Sequence, residues 1–345
     1  MKLWFKKAYQ RYILDAMSSM ALGLFSSLII GLILSQLAMI PLLKFLAPFG
    51  EIVSASSPVV GAAIGVAIGY GLKVAPLAVF ASAATGALGY NLGGPVGAYF
   101  AAVVGAELGG LVAGKTKVDI LVVPIVTIAS GCLIGAWSAP GINRAVAWLQ
   151  AFLEHATKLQ PIPMGIIVSV VFGLALTAPI SSAALAAMIF TVPEGGTMGE
   201  GLALAAGAAT VGCCAQMVGF AVSSFRENRV AGLVAQGLGT SMLQVGNILR
   251  RPAILIPPTL ASAILGPIAT TLLPMQNASA AAGMGTSGLV GQFGTWAAMS
   301  DQGVGNVLIK MALLHFLLPA AISLATSEFM RKKGWIRPGD MQLNL

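Results

Sequence analysis

The chain predicts an all-α polytopic membrane protein with about ten transmembrane helices. Three observations carry that prediction. Only 9% of the 345 residues are charged, against roughly 25% in soluble domains. Apolar residues make up 57% of the chain, and its mean hydropathy is +0.90. Apolar stretches near the ~20 residues that cross a bilayer recur along its whole length. This composition excludes a soluble globular protein, a disordered chain and a secreted disulfide scaffold. No dense basic patch of the nucleic-acid-binding kind is present, so no nucleic-acid partner is expected.

The N-terminus, MKLWFKKAYQRYILDAMSSMALGLFSSLIIGLIL, is basic and then apolar. Its apolar stretch is longer than a signal-peptide core and no small-x-small cleavage site follows, so it reads as an uncleaved first span. Ten candidate spans follow one another: 14–36, 56–72, 75–92, 95–114, 118–137, 163–190, 201–222, 229–247, 253–273 and 304–327. Gly93, Gly94 and Pro95 separate the third from the fourth. Residues 37–52 carry two prolines and are too short to span, which suits an interfacial helix. Residues 275–299 carry small and polar residues around Gly283, Gly285, Gly288, Gly291 and Gly294, which suits a re-entrant segment. Irregular backbone at membrane depth is tolerated only where protein or a water-filled cavity surrounds it, so a ligand is sought there. Forty-two glycines fit close helix packing, since small residues let backbones approach.

Two halves are expected, 1–150 and 151–345, the second holding the re-entrant segment. MALGLFSSLIIGL (20–32) is similar to MGIIVSVVFGLAL (164–176), and DILVVPIVTIASGCLIG (119–135) to AILIPPTLASAILGPI (253–268). Five spans per half would make the halves inverted repeats with a site at their interface; shared glycine-rich composition is the other reading. With both termini cytoplasmic, thirteen of the nineteen Lys and Arg residues fall inside, as the positive-inside rule expects. Arg226 and Arg229 are the awkward pair, because the count places them outside.

Glu107 is the only charge in GAYFAAVVGAELGGLVAG. An acid at membrane depth marks a substrate or ion path by default; a span-end or structural glutamate is the alternative. Asp15, Asp119, Glu194 and Glu200 suit solvated loops or span entrances. His155 suits an outer loop. His315, in the last span, suits either a buried hydrogen bond to a neighbouring helix or a proton relay. Cys132, Cys213 and Cys214 read as buried thiols. Uncharged polar residues gather in the second half: Thr177, Ser181, Ser182, Gln216, Gln236, Thr240, Ser241, Gln244, Asn247, Asn277, Thr286, Ser287 and Gln292, with Asn91 in the first. Hydroxyls and amides can each bond a solute OH, which suits a neutral polyhydroxylated ligand; interhelical glue is the plainer reading of any one of them. The candidate solute-binding set is Glu107, Asn91, Ser181, Ser182, Gln216, Asn247, Thr286, Ser287 and Gln292. No Walker loop, HExxH, GxSxG or CxxC occurs, so neither catalytic motif, metal nor cofactor is expected.

The runs MALGLFSSLIIGLIL, GGPVGAYFAAVVGAELGGLVAGKTKVDI, LTAPISSAA, GTSMLQVGNILRRPAILIPPTLASAILGP and GMGTSGLVGQ resemble the EIIC-like membrane subunits of the sugar phosphotransferase system, of the type that includes the toxin regulator PfoR. The resemblance covers about 11–330. It implies a sugar or polyol permease of the bacterial inner membrane, a homodimer, with soluble EIIA and EIIB phosphoryl carriers as partners. A solute sensor without flux and an H⁺- or Na⁺-coupled transporter are the alternatives. The sugar-binding glutamate of a GITEP-like motif has no counterpart here, and Asn247 to Pro258 is only loosely similar to the family's Asn-Glu-Pro region. No phospho-accepting His or Cys and no fused EIIA or EIIB domain can be assigned.

Overall fold

The computed structural model describes residues 7–54, 57–178, 181–191 and 198–343. Among them only helices and turns occur, with no strand. Contacts divide the chain into two compact units, Met1–Leu149 with Ala187–Gly196, and Gln150–Ala186 with Thr197–Leu345. Among the described residues six helices are long and apolar enough to cross a membrane: α1 (Tyr9–Ser35), α4 (Pro76–Val112), α5 (Asp119–Leu159), α8 (Glu200–Ser223), α11 (Pro252–Thr270) and α13 (Val304–Lys332). Two shorter apolar helices join them, α3 (Pro58–Gly71) and α6 (Pro161–Thr177). The others are α2 (Ala47–Ile52), α7 (Ser182–Phe190), α9 (Phe225–Val234), α10 (Val245–Arg250) and α12 (Val290–Met299). Lys2, Lys6, Pro179 and Glu194 lie outside the described residues.

In the first unit, α4 is two antiparallel arms. A straight helix of 37 residues would run ~55 Å at 1.5 Å per residue, well beyond a ~30 Å hydrocarbon core. The backbone leaves the helical region at Gly93 and Gly94, and Gly94 has φ 58° and ψ −153°, a combination open in practice only to glycine. The arms then pack so closely that a side chain on Gly89 would meet the Gly97 carbonyl at 2.5 Å. The third and fourth predicted spans are these arms. Residues 37–52 form a 3₁₀ turn, Pro41–Leu46, and α2. Arg11 and Glu107 pair at 2.5 Å, and the Tyr99 hydroxyl donates to the Tyr12 carbonyl at 2.6 Å. Both bonds tie α1 to the second arm of α4.

In the second unit, α8 is the central post, buried along nearly its whole length. Hydrogen bonds fix the direction of its neighbours. Ser262 donates to the Gly212 carbonyl (3.2 Å) and Ser169 to the Ser262 carbonyl (2.8 Å). Thr270 donates to the Pro161 carbonyl (2.7 Å), so α11 runs against α6. Ser223 donates to the Ser323 carbonyl (3.3 Å), and Arg226 pairs with Glu328 at 2.6 Å, so α8 and α13 run in parallel. The unit therefore has a tail face, where α8 and α13 end, and a far face, where α6 and α8 begin. Small residues make these contacts, as expected where lipid tails are as apolar as leucine and close packing drives helix association.

Three predicted spans differ from the structure. The span 118–137 is the first half of α5, which continues unbroken to Leu159 and carries His155 on a helix rather than in an outer loop. Residues 163–190 are two helices, α6 and α7, rather than one. Ala178 is extended (ψ 159°), and it precedes Pro179 in the sequence, which disfavours the helical region at that position. Residues 229–247 do not form a continuous span. Arg229 breaks α9 with φ 51° and ψ −147°, Thr240 is extended at φ −160°, and a π turn, a 3₁₀ turn and α10 complete the segment. Both its ends lie on the tail face, because Arg226 pairs with Glu328 (2.6 Å) and Arg251 faces Asp340 (3.6 Å). Arg226 and Arg229 thus share a face with Arg250, Arg251 and the C-terminal basic residues, which removes the awkward pair.

Candidate functional site

Residues 275–299 enter the second unit from the far face and return to it. At their base the Asn277 amide nitrogen lies 2.8 Å from Thr210 Oγ1 and 3.0 Å from the Gly291 carbonyl oxygen. Also at the base, the Gln276 N–H lies 3.2 Å from Met299 Sδ. The far-face core of Val211, Leu265, Met275, Met299, Val307 and Leu314 packs around them. Further in, Ser182 donates to the Gly283 carbonyl at 2.7 Å. Gly285 turns with φ 54° against the Cys213 backbone, and Gly288 and Leu289 also have positive φ. This is the expected re-entrant segment, built from two 3₁₀ turns and α12.

Its tip meets the broken segment 225–251. Thr286 donates to the Gly237 carbonyl at 2.6 Å. Beside that joint runs a buried chain of hydroxyls and amides. Ser241 Oγ lies 2.9 Å from Thr177 Oγ1. Thr177 donates to Gln216 Oε1 at 3.2 Å, and Gln216 Nε2 donates to Thr259 Oγ1 at 3.0 Å. Gln216, Ser241 and Thr286 are fully buried.

Gln292 and His315 form the second part of the site. The Gln292 amide nitrogen lies 3.0 Å from His315 Nδ1 and 3.5 Å from Cys214 Sγ. Cys214 is near the midpoint of α8. His315 is fully buried and Gln292 nearly so, yet Gln292 Oε1 and His315 Nε2 have no hydrogen-bond partner. With the amide as donor, Nδ1 accepts and the neutral ring carries its proton at Nε2, leaving one donor and one acceptor free. Turning the amide over and moving the proton to Nδ1 exchanges the roles and again leaves a donor and an acceptor. Buried polar atoms are nearly always paired, so two unpaired atoms on one bonded pair mark a place where a ligand can supply the bonds. The local chemistry is that of a hydroxyl, which both donates and accepts.

The other predicted residues are placed as follows. Ser181 Oγ accepts from the Ala184 N–H at 3.1 Å and opens α7. Ser287 is half-buried at the far-side tip. Asn247 lies on the tail face, where it donates to Gln244 Oε1 (2.8 Å) and the Gln342 carbonyl (2.9 Å). Glu107, paired with Arg11, and the exposed Asn91 belong to the first unit. Thr259 and Gly237 are the additions that the sequence did not single out: one threonine among prolines, and one glycine acting through its carbonyl. Among the described residues no group of His, Cys, Asp and Glu could hold a metal.

A family model described as "Phosphotransferase system, EIIC" matches residues 14–343. The chain belongs to the phosphotransferase-system EIIC family. Comparison with the curated proteins and with the solved structures returns no match. Family membership and the membrane-length helices together make this a multi-pass membrane protein of the EIIC permease class.

Proposed function

We propose that this EIIC protein carries a neutral polyhydroxylated solute, a sugar or polyol, across the bacterial inner membrane. In this reading it works as a homodimer with soluble EIIA and EIIB carriers. The observation that carries the proposal is the Gln292–His315 pair, which keeps a free donor and a free acceptor in the core of the second unit. Ser182, Thr286 and Ser287 frame the far-side tip, and no charged side chain takes part in these bonds. An uncharged seam of this kind favours a hydroxylated solute over an ionic one. In the second unit the tail face holds eight basic residues, Arg226, Arg229, Arg250, Arg251, Arg331, Lys332, Lys333 and Arg337. The far face holds Lys158 and Lys310. That asymmetry supports a cytoplasmic tail face. The proposal rests on the second unit; Glu107 and Asn91 carry no part of it.

The test is a thermal-stability screen of the purified protein against sugars, polyols, sugar acids, nucleosides and amino acids. A solute at about 100 times its Kd adds ~2.7 kcal/mol to the folded state, so a sugar or polyol should raise Tm by several degrees. The double variant Gln292→Leu/His315→Phe should lose that response while keeping its own Tm, because replacing both members of a polar pair with apolar groups is nearly neutral. A hit confined to ionic solutes, or a double variant that still responds, would reject the assignment. Flux of the hit into proteoliposomes, with and without phosphoryl carriers, then separates group translocation from the sensor and ion-coupled readings.

A further inference from the structure

The chain beyond α13 folds back onto the tail face and is bound there by side chains of the broken segment. Asn228 donates to the Met341 carbonyl (2.8 Å) and accepts from the Leu343 N–H (2.8 Å). Gln244 Nε2 donates to the same Met341 carbonyl (3.0 Å), and Asn247 donates to the Gln342 carbonyl (2.9 Å). Ile336 and Met341 are buried against Phe220 and Ile254. The same Gln244 amide nitrogen also donates to Gln236 Oε1 at 2.9 Å, and Gln236 donates to Ser224 Oγ at 2.8 Å. Gln236 adjoins Gly237, whose carbonyl receives Thr286. Hydrogen bonds therefore run from the C-terminal segment to Gln236, and the peptide bond from Gln236 to Gly237 carries the connection on to the joint between the two tips.

We infer that residues 333–343 are a positioning element of the solute site, acting through Asn228, Gln244 and Gln236 to hold Gly237 against Thr286. Their release frees the broken segment to swing away from the far-side tip. Thr286 then loses its partner at Gly237, and the far-side hairpin, which covers Cys213 through Gly285 and Cys214 through Gln292, loosens over these two fully buried thiols. The inference rests on the reading of the two tips as part of the solute site, but its test needs no solute.

In the full-length chain with Cys132→Ser, Cys213 and Cys214 become the only thiols. Their alkylation by N-ethylmaleimide reports the cover directly. The double variant Asn228→Ala/Gln244→Ala should raise the alkylation rate at least tenfold with no sugar present. Met341→Ala, a milder change on the tail itself, should raise it severalfold and serves if the double variant does not fold. Ile64→Ala, fully buried in the first unit, is the control for general loosening and should leave the rate at the parent value. A rate within twofold of the parent in folded tail variants would overturn the inference. So would an equal rise in the Ile64→Ala control. A sugar that still raises Tm in those same variants would show that the solute site stands even where the positioning role falls.

Discussion

The far-side hairpin, 275–299, and the tail-side segment, 225–251, meet at one hydrogen bond but are held in place by different chemistry. The far-side hairpin penetrates from the Thr210 level of α8 to the Met217 level. It is anchored by glycine packing and by uncharged bonds, chiefly those of Asn277. The tail-side segment penetrates only as far as Gln216, seven residues or ~10 Å from the end of α8. It is anchored by ion pairs and amides: Glu227 with Arg331, Arg226 with Glu328, and the Asn228–Gln244–Asn247 set. Depth explains the difference. Charge is costly in the hydrocarbon region, so a deep hairpin has to be fixed by shape, whereas a shallow one can use charge beside the aqueous face.

The largest expected effect bears on whether the tail-side segment is a hairpin at all. Arg226 and Arg250 flank it and are both exposed. Single cysteines at Arg226→Cys and Arg250→Cys should react with an impermeant maleimide from the same side of the membrane. A cysteine at Asp301→Cys, exposed at the far face, should react only from the other side. Opposite-side labelling of the first two would restore 229–247 as a span and dissolve the comparison.

Next in size is the contrast between the two ion pairs. In Arg331–Glu227, NH2 donates to Oε2 at 3.0 Å and NH1 lies 2.9 Å from Oε1. Its side chains are only 8% and 7% exposed, against 66% and 30% in Arg226–Glu328. Removing one partner of a buried pair leaves an uncompensated charge and costs about 3–5 kcal/mol. An exposed pair contributes about 0.2–1 kcal/mol. Arg331→Met should therefore lower the unfolding midpoint in detergent far more than Arg226→Gln. Equal losses would mean that the base of the tail-side segment is wetter than its burial indicates.

The same contrast explains what the sequence could reveal. The far-side hairpin was legible because five glycines in a small, polar stretch fit neither a span nor a soluble loop. The tail-side segment reads as a span because the nineteen residues 229–247 are apolar enough, and its reversal depends on partners far along the chain. Nothing local shows that Asn228 and Gln244 face Met341. The arms of α4 were legible from Gly93, Gly94 and Pro95. The polar residues of the solute site were legible as a group, through their types, but not as a geometry. Gln292 and Gln216 look alike in sequence, yet Gln216 has a partner at both its amide oxygen and its amide nitrogen while Gln292 keeps a free acceptor. For His315 the sequence leaves a buried hydrogen bond and a proton relay both open, and its pairing with Gln292 needs the folded hairpin.

The finest discrimination lies in the tip glycines. Gly285, in the far-side hairpin, has φ 54°, and a Cβ there would sit 2.8 Å from the Cys213 carbonyl carbon. Alanine must either adopt a left-handed conformation, at about 1–3 kcal/mol, or shift the turn away from α8. Gly239, in the tail-side segment, has open space around the position of a Cβ and no positive φ. Alanine there restricts the unfolded chain without strain, which is neutral or stabilises by up to ~1 kcal/mol. Gly285→Ala should thus lower Tm and loosen the Thr286–Gly237 joint, while Gly239→Ala should leave Tm unchanged or slightly raised. The two substitutions are chemically identical and fall on either side of one hydrogen bond. A difference in sign between them isolates packing against α8 as the property that makes the deep tip rigid. Equal penalties would instead place both tips in the same tightly packed environment, and the shallow segment would lose its claim to be the mobile partner.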